Sequence, residues 1–278
     1  MNTWIHFLAA SLAAALAATP AQAEMSAEEL AKLAQNPIGN LISLPFQNNT
    51  NLNAGPQRET QNILNIQPVI PIEVNRDWNI ITRTIIPVIS QPPLTPTGGE
   101  RINGIGDVQF SAFLSPASPG SGGLIWGAGA IAQAPTDSND ALGNPRWGLG
   151  PTVVVLHLAH GDPWVYGVLA NQVWSVGDAI KGSRQSGDYS QALVQPFVNY
   201  NLPDGNGMYL TSSPIITADW KADSGQKYTV PVGGGVGKIF HLGKLPVNTQ
   251  LAAYYNAVKP DFGPNWQIRF QVQLMFPK

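Results

Sequence analysis

The 278-residue chain contains no cysteine, which excludes both a disulfide framework and a thiolate metal site. Charge is also scarce: Asp, Glu, Lys and Arg make 12% of the residues, about half the share usual in soluble domains. The formal net charge of −2 leaves no basic excess to displace counterions, so nucleic acid is excluded as a partner. No apolar run reaches the roughly 18 residues a spanning helix needs. Amides take the place of the missing charges. The 21 Asn and 18 Gln outnumber the 15 basic and 17 acidic side chains, so the polar surface is built from neutral hydrogen-bonding groups. Gly 28 and Pro 24 fall mostly between periodic segments, where they punctuate rather than signal disorder.

The clearest pattern lies at the C-terminus. Trp266, Ile268, Phe270, Val272, Leu274 and Phe276 alternate with Gln267, Arg269, Gln271 and Gln273. Successive side chains of a strand point to opposite faces, so one face here is apolar and the other is amide and guanidinium. A run of about eleven such residues is twice the usual soluble strand and matches a tilted crossing of a bilayer. Lipid satisfies no backbone groups, so a strand crosses only within a closed barrel. The expected fold is an all-β, transmembrane, antiparallel up-and-down β-barrel of about twelve strands with a short N-terminal helix, in contact with outer-membrane lipid.

Three regions follow. Residues 1–23 read as a cleaved signal peptide, with an apolar stretch from Ile5 to Ala18 and a small-residue site at Ala21-Gln22-Ala23. Residues 24–37 carry a capping box at Ser26-Ala27-Glu28-Glu29 and stop at Asn36-Pro37, which predicts a short periplasmic or plug helix. Residues 38–278 form the barrel. Twelve segments stand near residues 40–48, 62–73, 78–89, 105–115, 124–134, 147–157, 164–175, 190–200, 208–219, 228–240, 247–258 and 265–276. The first, third, fifth and seventh links (50–60, 90–104, 135–146, 176–189) are long, while the even-numbered ones are shorter. Long outside loops and short periplasmic turns then put both termini in the periplasm. Trp78, Trp126 and Trp164 fall at one set of strand ends, and Trp147, Trp174, Trp220 and Trp266 at the other, as two interfacial girdles would.

Motifs for chemistry are weak. His157 and His160 flank a turn next to Asp162, but no Gly-x-Ser-x-Gly elbow accompanies them. Gly233-Gly234-Gly235-Val236-Gly237-Lys238 is one residue short of a phosphate loop, and Ile239 stands where a hydroxyl is needed. Asp137-Ser138-Asn139-Asp140 begins like a calcium loop, yet Gly148 occupies the closing Glu position. These observations favour no enzyme, no cofactor and no metal site.

A resemblance adds to this reading. Asn103-Gly104-Ile105-Gly106-Asp107-Val108-Gln109-Phe110-Ser111-Ala112-Phe113-Leu114 resembles the Gly-x-Gly-Asp strand opening of a family of bacterial outer-membrane barrels named after the meta-pathway of phenol degradation. The stretch from Leu30 to Asn49, with Asn65-Ile66-Gln67-Pro68-Val69-Ile70-Pro71, is similar to a transporter-like subgroup often labelled neuromedin U. The resemblance implies an outer-membrane barrel with a role in solute passage. Such barrels often end on an aromatic residue, whereas here Pro277 and Lys278 follow Phe276, so the outer-membrane insertion machinery must tolerate two more residues.

Function is then sought in the lumen. Alternation turns Asn65, Gln67, Arg83, Asp107, Gln109, Gln195, Asn199, Gln250, Tyr254, Arg269, Gln271 and Gln273 inward. Arg83, Asp107 and Arg269 suggest a constriction or an internal salt-bridge network. About twelve strands leave a narrow passage or a solute-sized cavity, and an amide lining suits small neutral, amphipathic or aromatic solutes. Three classes stay open: a passive or facilitated channel for such a small-molecule solute, a structural or surface-binding barrel, and a barrel enzyme.

Overall fold

The structure, a computed structural model, describes residues 25–177, 187–203 and 206–277. The expected signal peptide at residues 1–23 and its cleavage site lie outside these residues. Twelve antiparallel strands follow a short helix, α1 (Ala27–Gln35). They are β1 (Ile42–Ala54), β2 (Glu59–Ile66 and Val69–Glu73), β3 (Trp78–Gln91), β4 (Ile102–Ile105 and Val108–Pro116), β5 (Leu124–Ala134) and β6 (Trp147–Leu158). After them come β7 (Trp164–Val176), β8 (Ser190–Asn201), β9 (Met208–Ser212 and Ile216–Asp219), β10 (Tyr228–Leu242), β11 (Leu245–Val258) and β12 (Trp266–Phe276). Each strand pairs with its sequence neighbours, and β12 pairs with β1 from Ile42↔Phe276 to Leu52↔Trp266, which closes the barrel and leaves no edge.

The twelve strands are the twelve segments expected. One link differs. Residues 50–60, expected to form a long loop, are mostly strand, because β1 continues to Ala54 and β2 starts at Glu59. Only residues 55–58 turn there, helped by positive φ at Asn53, Gly55 and Arg58. At the opposite rim β10 and β11 are joined by Gly243-Lys244 alone, with Gly243 at φ 62°.

The side-chain distribution is inverted relative to a soluble domain. Phe110, Leu149, Val153, Leu210, Val236, Leu251 and Phe270 are all 45% exposed or more, around the outer wall, while Gln47, Asn49, Thr152, Asn199, Asn248 and Arg269 are buried inside. A continuous exposed apolar band of this kind requires a nonaqueous surrounding, so the barrel is a transmembrane one. Six of the seven described tryptophans expose 40% or more of their surface outward, in two rows at the strand ends. The seventh, Trp78, meets Trp126 edge-on with ring centroids 5.9 Å apart.

Three strands are interrupted, and each interruption delivers a polar group to the interior. Pro68 and Pro214 have no N–H to give the ladder. Beside them Gln67 and Ser213 turn inward. In β4, Gly106-Asp107-Val108 faces Ile86-Pro87 on β3, one residue more than its partner, and this bulge brings Asp107 inside.

Candidate functional site

Segment 25–41 lies inside the mouth at the end that carries both termini. Ser26 and Glu29 form the expected capping box: Ser26 Oγ accepts from the Glu29 N–H (3.2 Å), and Glu29 Oε2 accepts from the Ser26 N–H (2.9 Å). Donation from the Ser26 N–H and from the Ser26 hydroxyl (2.9 Å each) holds the Glu29 carboxyl below its ordinary range, with His160 and Lys32 adding to the effect. One face of α1 carries Leu30 and Ala31, which are buried against Tyr209, Ile239 and Met275. Gly237 makes room for that packing, since a Cβ there would lie 2.1 Å from the Tyr209 ring. Gln35 Nε2 donates to Asn201 on β8 (2.8 Å). The chain then crosses the barrel, and Ile38 enters an apolar cluster with Ile81, Phe113, Val154, Leu156, Val165 and Phe197.

Above this floor lies an interior cavity of about 140 Å³. That is several times the roughly 30 Å³ share of a liquid water. Gln67, Arg83, Gln195, Asn199, Gln250, Arg269, Gln271 and Gln273 line it, eight of the twelve residues singled out from the sequence. The other four lie elsewhere. Asn65 stands opposite Gln47 on the inner face of β2. Tyr254 is fully buried, with the Arg269 guanidinium 4.8 Å from its ring centroid. Gln109 donates to Gln133 (2.9 Å), and Gln133 donates in turn to Asp107 (3.0 Å), near the opposite rim.

Among the described residues Arg83, Asp107 and Arg269 share no hydrogen bond or ion pair, so of the two expected alternatives the internal salt-bridge network is not formed. Arg83 donates to Gln67 Oε1. Arg269 donates to Asn49 (3.2 Å), Gln267 (3.2 Å) and the Ser213 carbonyl (2.9 Å), so it holds the β9 interruption against the β12–β1 seam. Asp107 Oδ2 accepts from the Asn144 N–H (2.7 Å) as well as from Gln133, while its Oδ1 makes no hydrogen bond among the described residues. The Asp137 carboxyl is raised by burial and then by the charge of Asp107. Gly143 lets the two approach, since a Cβ there would fall 2.4 Å from Asp107 Oδ1. An amide ladder spans the seam at the same end: Gln267 to Asn51 (3.1 Å), Asn51 to Gln61 (2.7 Å), Gln61 to Gln91 (2.5 Å).

The lining is also less uniformly amide than expected. Leu33, Leu41, Val69, Leu169 and Phe197 give the cavity an apolar side. Sequence reasoning missed these residues, and it missed Gln47 and Thr211, which line the cavity as well. Gln47, Asn49 and Asn51 do alternate, but β1 is polar on both faces. Outward Asn48 donates to Thr50 (3.0 Å), and Thr50 to Asn62 (2.9 Å). Near the turn, Asp162 pairs with His157 (2.8 Å) rather than with His160, and His157 stacks on Tyr166.

A closed up-and-down barrel with an apolar outer wall and a polar interior cavity defines a transmembrane β-barrel of the outer-membrane type. Its fold is that of the COG4313 outer membrane channel from Pseudomonas putida F1, with a TM-score of 0.63 and 16% identity over 86% of this chain and 96% of that one. It is also similar to the NanC porin, with a TM-score of 0.52 and 9% identity over 85% of this chain and 100% of that one. No family model and no curated protein matches the sequence.

Proposed function

We propose that the chain is an outer-membrane channel that passes small solutes through the barrel interior, with segment 25–41 as its plug. Export by the cleaved signal peptide, assembly by the outer-membrane insertion machinery and periplasmic termini belong to the same reading. One observation carries it: polar side chains from β1, β3, β8, β11 and β12 converge on a cavity whose floor is a helix rather than barrel wall. Packed scaffolds fill their interiors with side chains from the strands themselves, whereas here a separate segment occupies the mouth. The likeness in fold to a channel and a porin supports the proposal.

Planar-bilayer recording of the refolded protein with and without residues 24–37 tests it. Deleting the segment is expected to raise conductance severalfold. A barrel that inserts and folds but conducts in neither form would instead be the structural or surface-binding scaffold.

A further inference from the structure

We infer that the interior cavity is a site for small carboxylates that carry an apolar ring or chain. As a statement about the transported solute this rests on the channel reading; as a statement about binding it stands without it. The charge around the cavity is one-sided. Arg83 and Arg269 line it, and among the described lining residues none is Asp or Glu. Guanidinium stays protonated at any physiological pH, so the described cavity lining carries two positive charges and no negative one. Burial makes such charges costly unless an opposite charge compensates them. Asp107 does not, because it is bound to Gln133 and Asn144 and lies outside the cavity lining.

The two arginines have different tasks. Arg269 is spent on scaffold: its three nitrogens reach Asn49, Ser213 and Gln267. Among the described residues Arg83, with five N–H donors, makes one hydrogen bond, to the neutral Gln67. Its fork therefore has donors to spare for an acceptor in the cavity, and a carboxylate matches that fork with two parallel bonds. Leu169 and Phe197 supply an apolar wall to the same space, while Gln195 and Gln271 offer amide donors. A carboxylate with an apolar body satisfies both parts, and a neutral amide of the same shape satisfies only one. This narrows the expectation of neutral solutes, which counted amides but not the absence of an acidic partner for the arginines.

The test is equilibrium binding of benzoate and benzamide to the refolded barrel, with α1 in place, in neutral detergent. Benzoate is expected to bind at least tenfold more tightly, with an affinity that falls as salt rises. Arg83→Gln should bring the two ligands within about twofold of each other, and Arg83→Lys should restore part of the difference, retaining the charge without the fork. Equal binding of both ligands by the native barrel, or an unchanged benzoate preference in Arg83→Gln, overturns the inference. Should Arg83→Gln fail to fold, the benzoate-to-benzamide ratio of the native protein and its salt dependence decide. A barrel that binds benzoate but never conducts would retain this site and remove the channel.

Discussion

Gln271 and Val272 are neighbours on β12 with opposite surroundings. Gln271 lines the cavity, and Val272 stands on the outer face between Phe46 and Thr249. Val272→Arg should destabilise the barrel by roughly 2–4 kcal/mol, the cost of a cation at mid-bilayer, measured by denaturant unfolding in vesicles. Gln271→Arg adds the same group one position away and should fold nearly as the native chain does, with stronger preference for anions. Equal losses would mean that this strand does not divide lipid from lumen. Asp137 gives a pH-dependent case. Its folded-state pKa is raised, so the stability it contributes is complete below the ordinary carboxylate value and is lost as pH rises through the raised one. An ionised Asp137 carboxylate, partly buried beside Asp107, therefore weakens link 135–146. Asp137→Asn should make that link more resistant to protease at pH 7, with the difference vanishing below about pH 4. Inward residues of β12 were legible because its outer face is wholly apolar. Those of β1 were not, since polar Asn48 and Thr50 occupy its outer face.

Among the elements, strands were the most legible. Even interrupted β2 and β9 read correctly, because Gln67-Pro68 and Ser213-Pro214 break the ladder without moving later residues to the other face: Gln61 and Val69 are both inward, as are Tyr209 and Thr217. Interior packing of α1 was not legible. Its sequence carries the cap and the stop, but the partners of Leu30 are Tyr209, Ile239 and Met275, far along the chain, and only closure of the barrel assembles them. The cap gives a prediction at this scale. Ser26→Ala should cost about 1 kcal/mol of helix stability. Amide hydrogens of residues 30–35 should then exchange severalfold faster while those of β12 are unchanged; parallel acceleration of both would mean that the helix and the barrel open as one unit.

For the whole molecule, asymmetry between the rims supports the proposed orientation. On the terminus side the tightest link is Gly243-Lys244, and on the other side residues 92–101 and 135–146 run ten and twelve. With no native cysteine, Thr97→Cys creates a single thiol in link 92–101. An impermeant maleimide should label it on intact cells. Labelling only after the outer membrane is opened would invert the topology.

Residues 36–41 are all that join α1 to β1. Fully extended they reach about 20 Å, and the nine-residue helix is itself about 13 Å long. A helix that leaves its bed therefore stays tethered at the mouth, at an effective concentration in the millimolar range. With segment 25–41 as the plug proposed above, opening and closing would be first-order events of one molecule, independent of how many barrels share the membrane. A free peptide of residues 25–37 should need millimolar concentration to close the channel lacking that segment. Lengthening the tether with Gly-Ser repeats should slow reclosure while leaving the rate of opening unchanged.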